Sequence, residues 1–239
     1  MKSLPDTASI GLREGLMWSL AALGPTLLLT PHALAIAEGV VVARRPLFAF
    51  LLLETTYLLV GAACLGTTVS RRHLAAGAAS LLALPAVVCI LLTIVFGVDV
   101  PSLLGSQSAA MGTAVLGWGA GRAARGICGR AGSVSAVALL LVAAVGIGLL
   151  PVSHIAPLLE ASPSVGETML AANPFIAVTS AGGYDLIRSR ALYDSLTLSS
   201  YRFIYPDPLL PPLVLSTIGL VLAYLGTRKA RRAVRETST

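Results

Sequence analysis

The chain has 239 residues, of which 56% are hydrophobic and 12% are charged, and its mean hydropathy is +0.84. A soluble domain typically carries about 25% charged residues, so a single soluble core cannot enclose this much apolar surface, and the composition predicts an integral membrane protein. The formal net charge of +6 comes from short basic clusters between apolar runs, which is typical of the cytoplasmic ends of membrane spans and not of a nucleic-acid-binding surface.

The apolar runs predict an all-α integral membrane protein that forms one polytopic domain, residues 1–239. About six transmembrane helices are expected, at residues 15–37, 47–69, 74–98, 103–120, 134–152 and 209–225. Pro25 and Pro31 lie inside the first run and predict a kinked or broken helix there.

The basic clusters predict the sidedness of these spans. Six spans place both termini on one side, and Arg71–Arg72, residues 122–130 and the C-terminal tail fall on that side, which the positive-inside rule makes cytoplasmic. The basic tail can also contact anionic membrane lipid. Arg44–Arg45 falls on the other side, so the orientation of the first 46 residues stays open. The first run is either a hairpin or interfacial helix, or the pair is an exception to the rule.

An outer insert, residues 153–208, separates the fifth and sixth spans and is unusually polar and aromatic for this chain. Asn173–Pro174 predicts the end of any preceding helix, because proline restricts the residue before it. Gly182–Gly183 predicts a second break, and residues 185–196 are expected to form a helix. We expect short helices at the outer interface, or a re-entrant segment where protein shields the backbone.

Glu54 is the one acid that lies well inside a predicted span, and Thr55 and Thr56 follow it. A carboxylate at the bilayer centre costs on the order of 3 kcal/mol on insertion scales, so such a residue normally faces protein, water or a partner. Two roles are open: these three residues line a substrate pathway, or Glu54 makes a polar contact between spans.

Motifs for catalysis and cofactor binding are absent from the sequence. There is no phosphate-binding loop, dinucleotide fingerprint, zinc motif or nucleophile elbow. The three cysteines form no disulfide or metal pattern. We therefore expect no enzyme, no metal site and no directly bound cofactor. Gly117 and Gly121, one helical turn apart, and Gly146 and Gly148 are candidates for close helix packing.

Residues 121–133, GRAARGICGRAGS, are expected to form a cytoplasmic loop between the fourth and fifth spans. Arginines among small residues suit docking to a partner, and they equally suit ordinary anchoring at the membrane surface. Both interpretations stay open at this point.

The C-terminal half, about residues 111–235, resembles the permease subunits of type-2 ATP-binding-cassette exporters. The resemblance is carried by Asn173-Pro174-Phe175, by Tyr184-Asp185-Leu186-Ile187-Arg188, by Tyr205-Pro206 and by the block GWGAGRAARGICGRAGSVSAVALLLV. Such permeases have six spans, both termini inside the cell, and a re-entrant or interfacial helical segment between the fifth and sixth spans.

The resemblance implies a function that the composition alone does not give. Two permease chains, the same or different, form the pathway, and separate ATPase subunits supply ATP and magnesium chemistry. The implied outer gate comprises Asn173, Pro174, Phe175, Tyr184, Asp185 and Arg188. The implied ATPase-docking loops contain Arg71, Arg72, Arg122, Arg125 and Arg130. The Ala-, Leu- and Arg-rich composition suits the bacterial cytoplasmic (inner) membrane. The alternative is a non-transporting anchor or assembly subunit of a larger complex.

Overall fold

The computed structural model describes residues 7–37, 45–68, 74–97, 100–147, 162–186 and 207–236. Within these residues there are seven helices and no strand, so the all-α prediction is confirmed for this part of the chain. In chain order the helices are α1 (Thr7–Ala37), α2 (Arg45–Thr68), α3 (Leu74–Phe96), α4 (Val100–Ile147), α5 (Pro163–Ala172), α6 (Pro174–Ala181) and α7 (Leu210–Glu236).

Three of the described helices are long and apolar enough to cross a membrane: Arg45–Thr67, Leu74–Leu92 and Leu210–Lys229. They coincide with the predicted second, third and sixth spans. The predicted first and fourth spans fall on helical residues of α1 and α4, and the predicted fifth span does so as far as Ile147. Residues 148–152 lie outside the described residues, and all three spans stay predictions. Within α1 the apolar segment is shorter, Ala22–Pro31.

Helix α2 is the centre of the described structure. Of its apolar, potentially membrane-spanning segment 83% is buried, against 22% for the corresponding segment of α3 and 28% for that of α7. It contacts α1, α3, α4 and α6. Phe48, Leu51 and Leu58 are almost fully buried along it. The outward faces of α3 and α7 keep large apolar side chains exposed, as expected for helices with lipid on one side.

Helices α2 and α4 run parallel, because the numbers of their contacting residues increase in the same direction along both helices. Gly117 lies against Leu59, and Gly121 lies against Ala63, so each pair is separated by the same number of residues. The predicted close approach at Gly117 and Gly121 is therefore confirmed, with α2 as the neighbour. A side chain at either glycine would collide with the backbone of α2.

Helices α4 and α7 are parallel by the same criterion. Gly112, Gly119 and Gly126 of α4 lie against Pro212, Gly219 and Gly226 of α7, seven residues apart on both helices. A spacing of seven residues returns to nearly the same helix face, so the two backbones touch along three successive steps. This is the most extensive contact between described helices.

The predicted loop at residues 121–133 is wrong. Helix α4 continues through residue 128, is interrupted at Gly129 and is helical again to Ile147. Gly129 has φ 68° and ψ −168°, which glycine adopts at little cost and other residues do not. The prediction failed because alanine, arginine and isoleucine among residues 121–128 tolerate a helix well, so one residue suffices for the break.

Candidate functional site

Glu54 lies between α2 and α4 with only 2% of its surface exposed. Its Oε2 accepts a hydrogen bond of 2.9 Å from Nε2 of Gln107 on α4. Its Oε1 is buried and has no hydrogen-bond partner among the described residues. Glu54 therefore makes a polar contact between helices, the second of the two roles that the sequence left open, and retains acceptor capacity at one oxygen.

Thr55 and Thr56 are buried beside Glu54. The Thr55 hydroxyl donates to the Leu51 carbonyl at 2.7 Å, and the Thr56 hydroxyl donates to the Leu52 carbonyl at 3.1 Å. Bonds of this kind satisfy a hydroxyl inside its own helix. The three predicted pathway residues are thus enclosed by this chain and do not face an open channel within the described structure.

Gln107 is a site residue that the sequence analysis missed. A signal for it exists, because it is the only glutamine in the whole chain and it falls inside a predicted span. What the sequence does not provide is its partner, since the two side chains are 53 residues apart. Only the register between α2 and α4 brings them together.

Asn173 begins α6 and ends α5, which confirms the predicted break at Asn173–Pro174. Its side-chain oxygen accepts from the backbone N–H groups of Phe175 at 3.0 Å and Ile176 at 3.3 Å. Pro174 occupies the first helical turn, where its missing N–H costs nothing. The Asn-Pro-Phe step is therefore an N-cap that starts a buried helix.

Helix α6 packs on the N-terminal ends of α2 and α4. Gly105 of α4 lies beneath the Ala181 carbonyl, and Gly182 lies against Leu51 of α2. The rings of Phe48 and Tyr184 have centroids 5.3 Å apart, at a tilt of 49°, which is a favourable aromatic geometry. The turn after α6 confirms the predicted break at Gly182–Gly183, where Gly183 has φ 79°.

The predicted outer-gate residues are partly brought together. Asn173, Pro174, Phe175 and Tyr184 all belong to α6 and its two ends. Asp185 is half-buried and, like Leu186, is not helical, so the predicted helix over residues 185–196 does not begin there. Residues 187–196, with Arg188, lie outside the described residues.

Helix α5 is tied to the start of α7. The backbone N–H of Asp207 donates to Oε1 of Glu167 at 3.4 Å, and Oδ1 of Asp207 accepts from the backbone N–H of Leu209 at 2.9 Å. A carboxylate just before a helix interacts favourably with the positive N-terminal end of that helix. The pair α5 and α6, called the insert helices below, thus touches the N-terminal ends of α2, α4 and α7.

The opposite end of these three helices is basic. Arg125 of α4 donates from Nη1 to the Thr67 carbonyl in the last turn of α2 at 2.9 Å. The Arg122 guanidinium lies 5.7 Å from the centroid of the Trp118 ring, within cation–π range. Arg228 and Lys229 of α7 are exposed at the same end. We call Thr67, Arg122, Arg125, Arg228 and Lys229 the basic end.

The implied docking loops need correction at three positions, because Arg122, Arg125 and Arg130 all lie within α4. Arg122 and Arg125 lie on helix α4 and contact neighbouring groups of this chain, so they do not belong to a loop. The cause is the continuation of α4 to the break at Gly129. Arg130 also lies within α4, and its side chain is outside the described part of the structure. Arg71 and Arg72 lie outside the described residues.

The described residues contain no group of three or more His, Cys, Asp or Glu side chains that could hold a metal ion. Comparisons of the chain with protein-family models, with curated proteins and with solved structures find no match.

Proposed function

We propose that the chain is the membrane permease subunit of an ATP-driven exporter, similar to the type-2 ATP-binding-cassette class. It would form the transmembrane pathway with a second permease, the same or different, and separate ATPase subunits would bind ATP and magnesium. The observation that carries the proposal is the position of the insert helices at the N-terminal ends of three parallel helices.

Parallel packing of α2, α4 and α7 supports six alternating spans. Helices that cross a membrane in the same direction are separated by a return crossing, and α3 lies between α2 and α4. The insert helices lie beside Gly105 of α4. To reach them from the level of Gly126, the chain must return about 32 Å at 1.5 Å per residue. Residues 130–147 are helical and about 27 Å long, so they fit the return as a fifth span.

Charge supports the orientation of these spans. The basic end collects Arg122, Arg125, Arg228 and Lys229, and Glu167, Asp185 and Asp207 lie in or beside the insert helices. Arg45, the first residue of α2, lies at the same end as the insert helices and is the exception among the described residues. The positive-inside rule then makes the basic end cytoplasmic and puts the insert helices outside. In this orientation Arg122 and Arg125 lie on the side where an ATPase binds, and both termini are cytoplasmic.

The insert helices suit an outer gate because they are small and seated on helix ends. Ile176, Ala177, Val178 and Thr179 are buried against the neighbouring helices, so a shift of α2 relative to α4 changes the surface on which α6 rests. Binding and hydrolysis of ATP at distant subunits would act through such a two-state arrangement. The gate contributes no catalytic residue.

Burial of Glu54, Thr55 and Thr56 favours a second function, a non-transporting membrane anchor or assembly subunit. The residues predicted to line a pathway are enclosed and bonded within this chain. A permease with its pathway between two chains would need other residues to line that pathway. The two functions differ in their partners, so partner identity separates them.

A mild-detergent pull-down of the tagged chain from its native membrane tests the proposal. A stoichiometric ATPase subunit whose hydrolysis is stimulated in the complex is the expected result. Stable association with a large complex that lacks such an ATPase would replace the exporter with the assembly subunit. The pull-down is performed with wild-type chain, because no substitution is needed to distinguish these outcomes.

Exchange of the two polar side chains separates the roles of Glu54. We expect Glu54→Gln to weaken the contact between α2 and α4, and the double variant Glu54→Gln with Gln107→Glu to restore thermal stability. If Glu54 also touches substrate, the double variant regains stability without regaining transport. Thr55→Val is the matched control, because its hydroxyl bonds only within α2. Unchanged transport in Glu54→Gln would reject the pathway role of this carboxylate.

A further inference from the structure

Helix α7 has two faces of different chemistry. The face on α4 contains Pro212, Gly219 and Gly226. The opposite face exposes large side chains, with Leu213 at 65%, Val221 at 51% and Leu225 at 51% of their surface. An apolar face of this kind on a helix of 27 residues indicates contact with lipid over most of its length.

The outward face of α7 changes from apolar to basic within one turn. Positions 221, 225, 228, 232 and 235 follow one another at spacings of four and three, so they share a single helix face. Val221 and Leu225 occupy its apolar part, and Arg228 begins its basic part with an exposed side chain. Arg232 and Arg235 occupy the next positions on that face, and Arg231 is their neighbour.

The depth of this change matches the end of the bilayer. A helix of 27 residues is about 40 Å long, and the hydrocarbon core is about 30 Å thick. The last turns of α7 therefore extend beyond the hydrocarbon and reach the headgroup level. Tyr224 is 63% exposed just before the first arginine, and tyrosine favours that same level.

The rest of the basic end lies at the same depth. Contact between Gly126 and Gly226 aligns α4 with α7 there. Arg125 is level with residues 225 and 226, and Arg228 lies about 4 Å further along the axis. Arg125 is engaged by the Thr67 carbonyl and Arg122 by the Trp118 ring. Arg228, on the outward face of α7, has an exposed side chain at this end.

We infer that the outward basic face of α7, residues 228–235, binds the phosphate headgroups of anionic phospholipids in the adjoining leaflet. The apolar part of the face is continuous with the basic part, so an occupant must offer acyl chains and negative charge in one molecule at this depth. An anionic phospholipid does so, and an acidic soluble protein offers only the charge. The inference rests on the membrane embedding in the proposed function.

Lipid binding by the purified full-length chain tests the inference. Native mass spectrometry measures the affinity of detergent-solubilised chain for phosphatidylglycerol, with phosphatidylcholine as the uncharged comparison. Each basic residue near an anionic surface contributes about 1 kcal/mol, which is roughly a fivefold change in affinity. The variant with Arg228→Gln, Arg231→Gln, Arg232→Gln and Arg235→Gln should bind phosphatidylglycerol at least about tenfold more weakly.

The matched control replaces the same four arginines with lysine, which keeps the charge. Its affinity for phosphatidylglycerol should stay close to wild type, and a loss equal to that of the glutamine variant would overturn attraction by charge. The wild-type chain gives an independent result that needs no substitution. Its affinity for phosphatidylglycerol must fall between about 0.1 M and about 1 M salt, as the Debye length shortens, and an affinity that ignores salt would overturn the inference.

A protein partner on the same face is a separate outcome. If the glutamine variant loses a co-purifying acidic protein while its affinity for phosphatidylglycerol is unchanged, lipid is the wrong occupant. The lipid measurement uses the purified chain without an ATPase. Absence of an ATPase in the pull-down would therefore reject the exporter proposal and leave the result on lipid binding unchanged. Loss of lipid selectivity would likewise leave the exporter proposal standing.

Discussion

Close contact between α4 and α7 can be tested by adding one methyl group at Gly119. A Cβ at Gly119 would meet the carbonyl oxygen of Gly219 and would lie 2.5 Å from its carbonyl carbon and 2.7 Å from its Cα. Ordinary contacts between carbon atoms are about 3.5 Å or longer. All three obstructing atoms belong to the backbone, so no rotation of a side chain relieves the clash and the helices must separate by about 1 Å.

The expected cost of Gly119→Ala follows from two opposing effects. Overpacking of a close contact typically costs about 1–3 kcal/mol. Alanine is favoured over glycine in a helix by up to about 1 kcal/mol. A net loss of up to about 2 kcal/mol remains after the full gain is subtracted, and in a chain of this size each kcal/mol lowers the melting temperature by about 2–4 °C. We therefore expect Gly119→Ala to melt up to about 8 °C below wild type.

Gly24→Ala is the matched control, because no atom outside its own stretch of helix lies within 4 Å of the position where its Cβ would be. The gain in helix propensity there is opposed by contact of the new Cβ with the ring of Pro25, the next residue, so its melting temperature should stay close to that of wild type. Thermal melting followed by far-ultraviolet circular dichroism in detergent compares the two variants without relying on Trp118, which is adjacent to Gly119. Equal melting temperatures for Gly119→Ala and Gly24→Ala would refute backbone contact between α4 and α7.

Three further substitutions test local features. Asn173→Ala removes the cap of α6, so we expect a loss of about 0.5–2 kcal/mol and faster amide exchange at Phe175; Asn173→Asp keeps an acceptor and should not speed that exchange. Arg125→Ala frees the Thr67 carbonyl and should cost about 1.5 kcal/mol in thermal unfolding; no loss would mean that the bond in the last turn of α2 is replaced by water. Gly129→Ala forces a side chain into a glycine conformation and should cost about 1–3 kcal/mol; a stable Gly129→Ala variant would mean that α4 has no such break.

The breaks in the insert were predictable because their causes are local. Proline restricts the residue before it, so the Asn173–Pro174 step predicts a helix boundary whatever packs around it. Two adjacent glycines at 182 and 183 predict a turn for similar reasons. These constraints act within a few residues, and the structure confirms both. The apolar runs of α2, α3 and α7 were predictable because their composition alone distinguishes them.

Small-residue positions predict where helices approach closely, but which helices meet there was not predictable, because it depends on register across long stretches of chain. Gly105, Gly112, Gly119 and Gly126 are spaced by seven residues, which predicts one small-residue face on α4. Nothing in that spacing identifies α7 and α6 as the neighbours. The same limit applies to Gln107, whose partner Glu54 follows only from parallel packing of α2 and α4. The prediction of a cytoplasmic loop at residues 121–133 was wrong for a local reason. The helix is interrupted at the single residue Gly129, whereas the prediction placed a loop over thirteen residues.

Parallel packing also bears on the charges at the helix ends. Each helix has a positive N-terminal end and a negative C-terminal end, and parallel helices place like ends together, which is unfavourable without compensation. Arg125 donates to the Thr67 carbonyl in the last turn of α2 and so offsets the negative end of that helix. At the other end Asp207 precedes α7 and favours its positive end, whereas Arg45 begins α2 and does not. Neutralising Arg125 should therefore reduce the stability of the helix bundle even in a detergent that carries no charge.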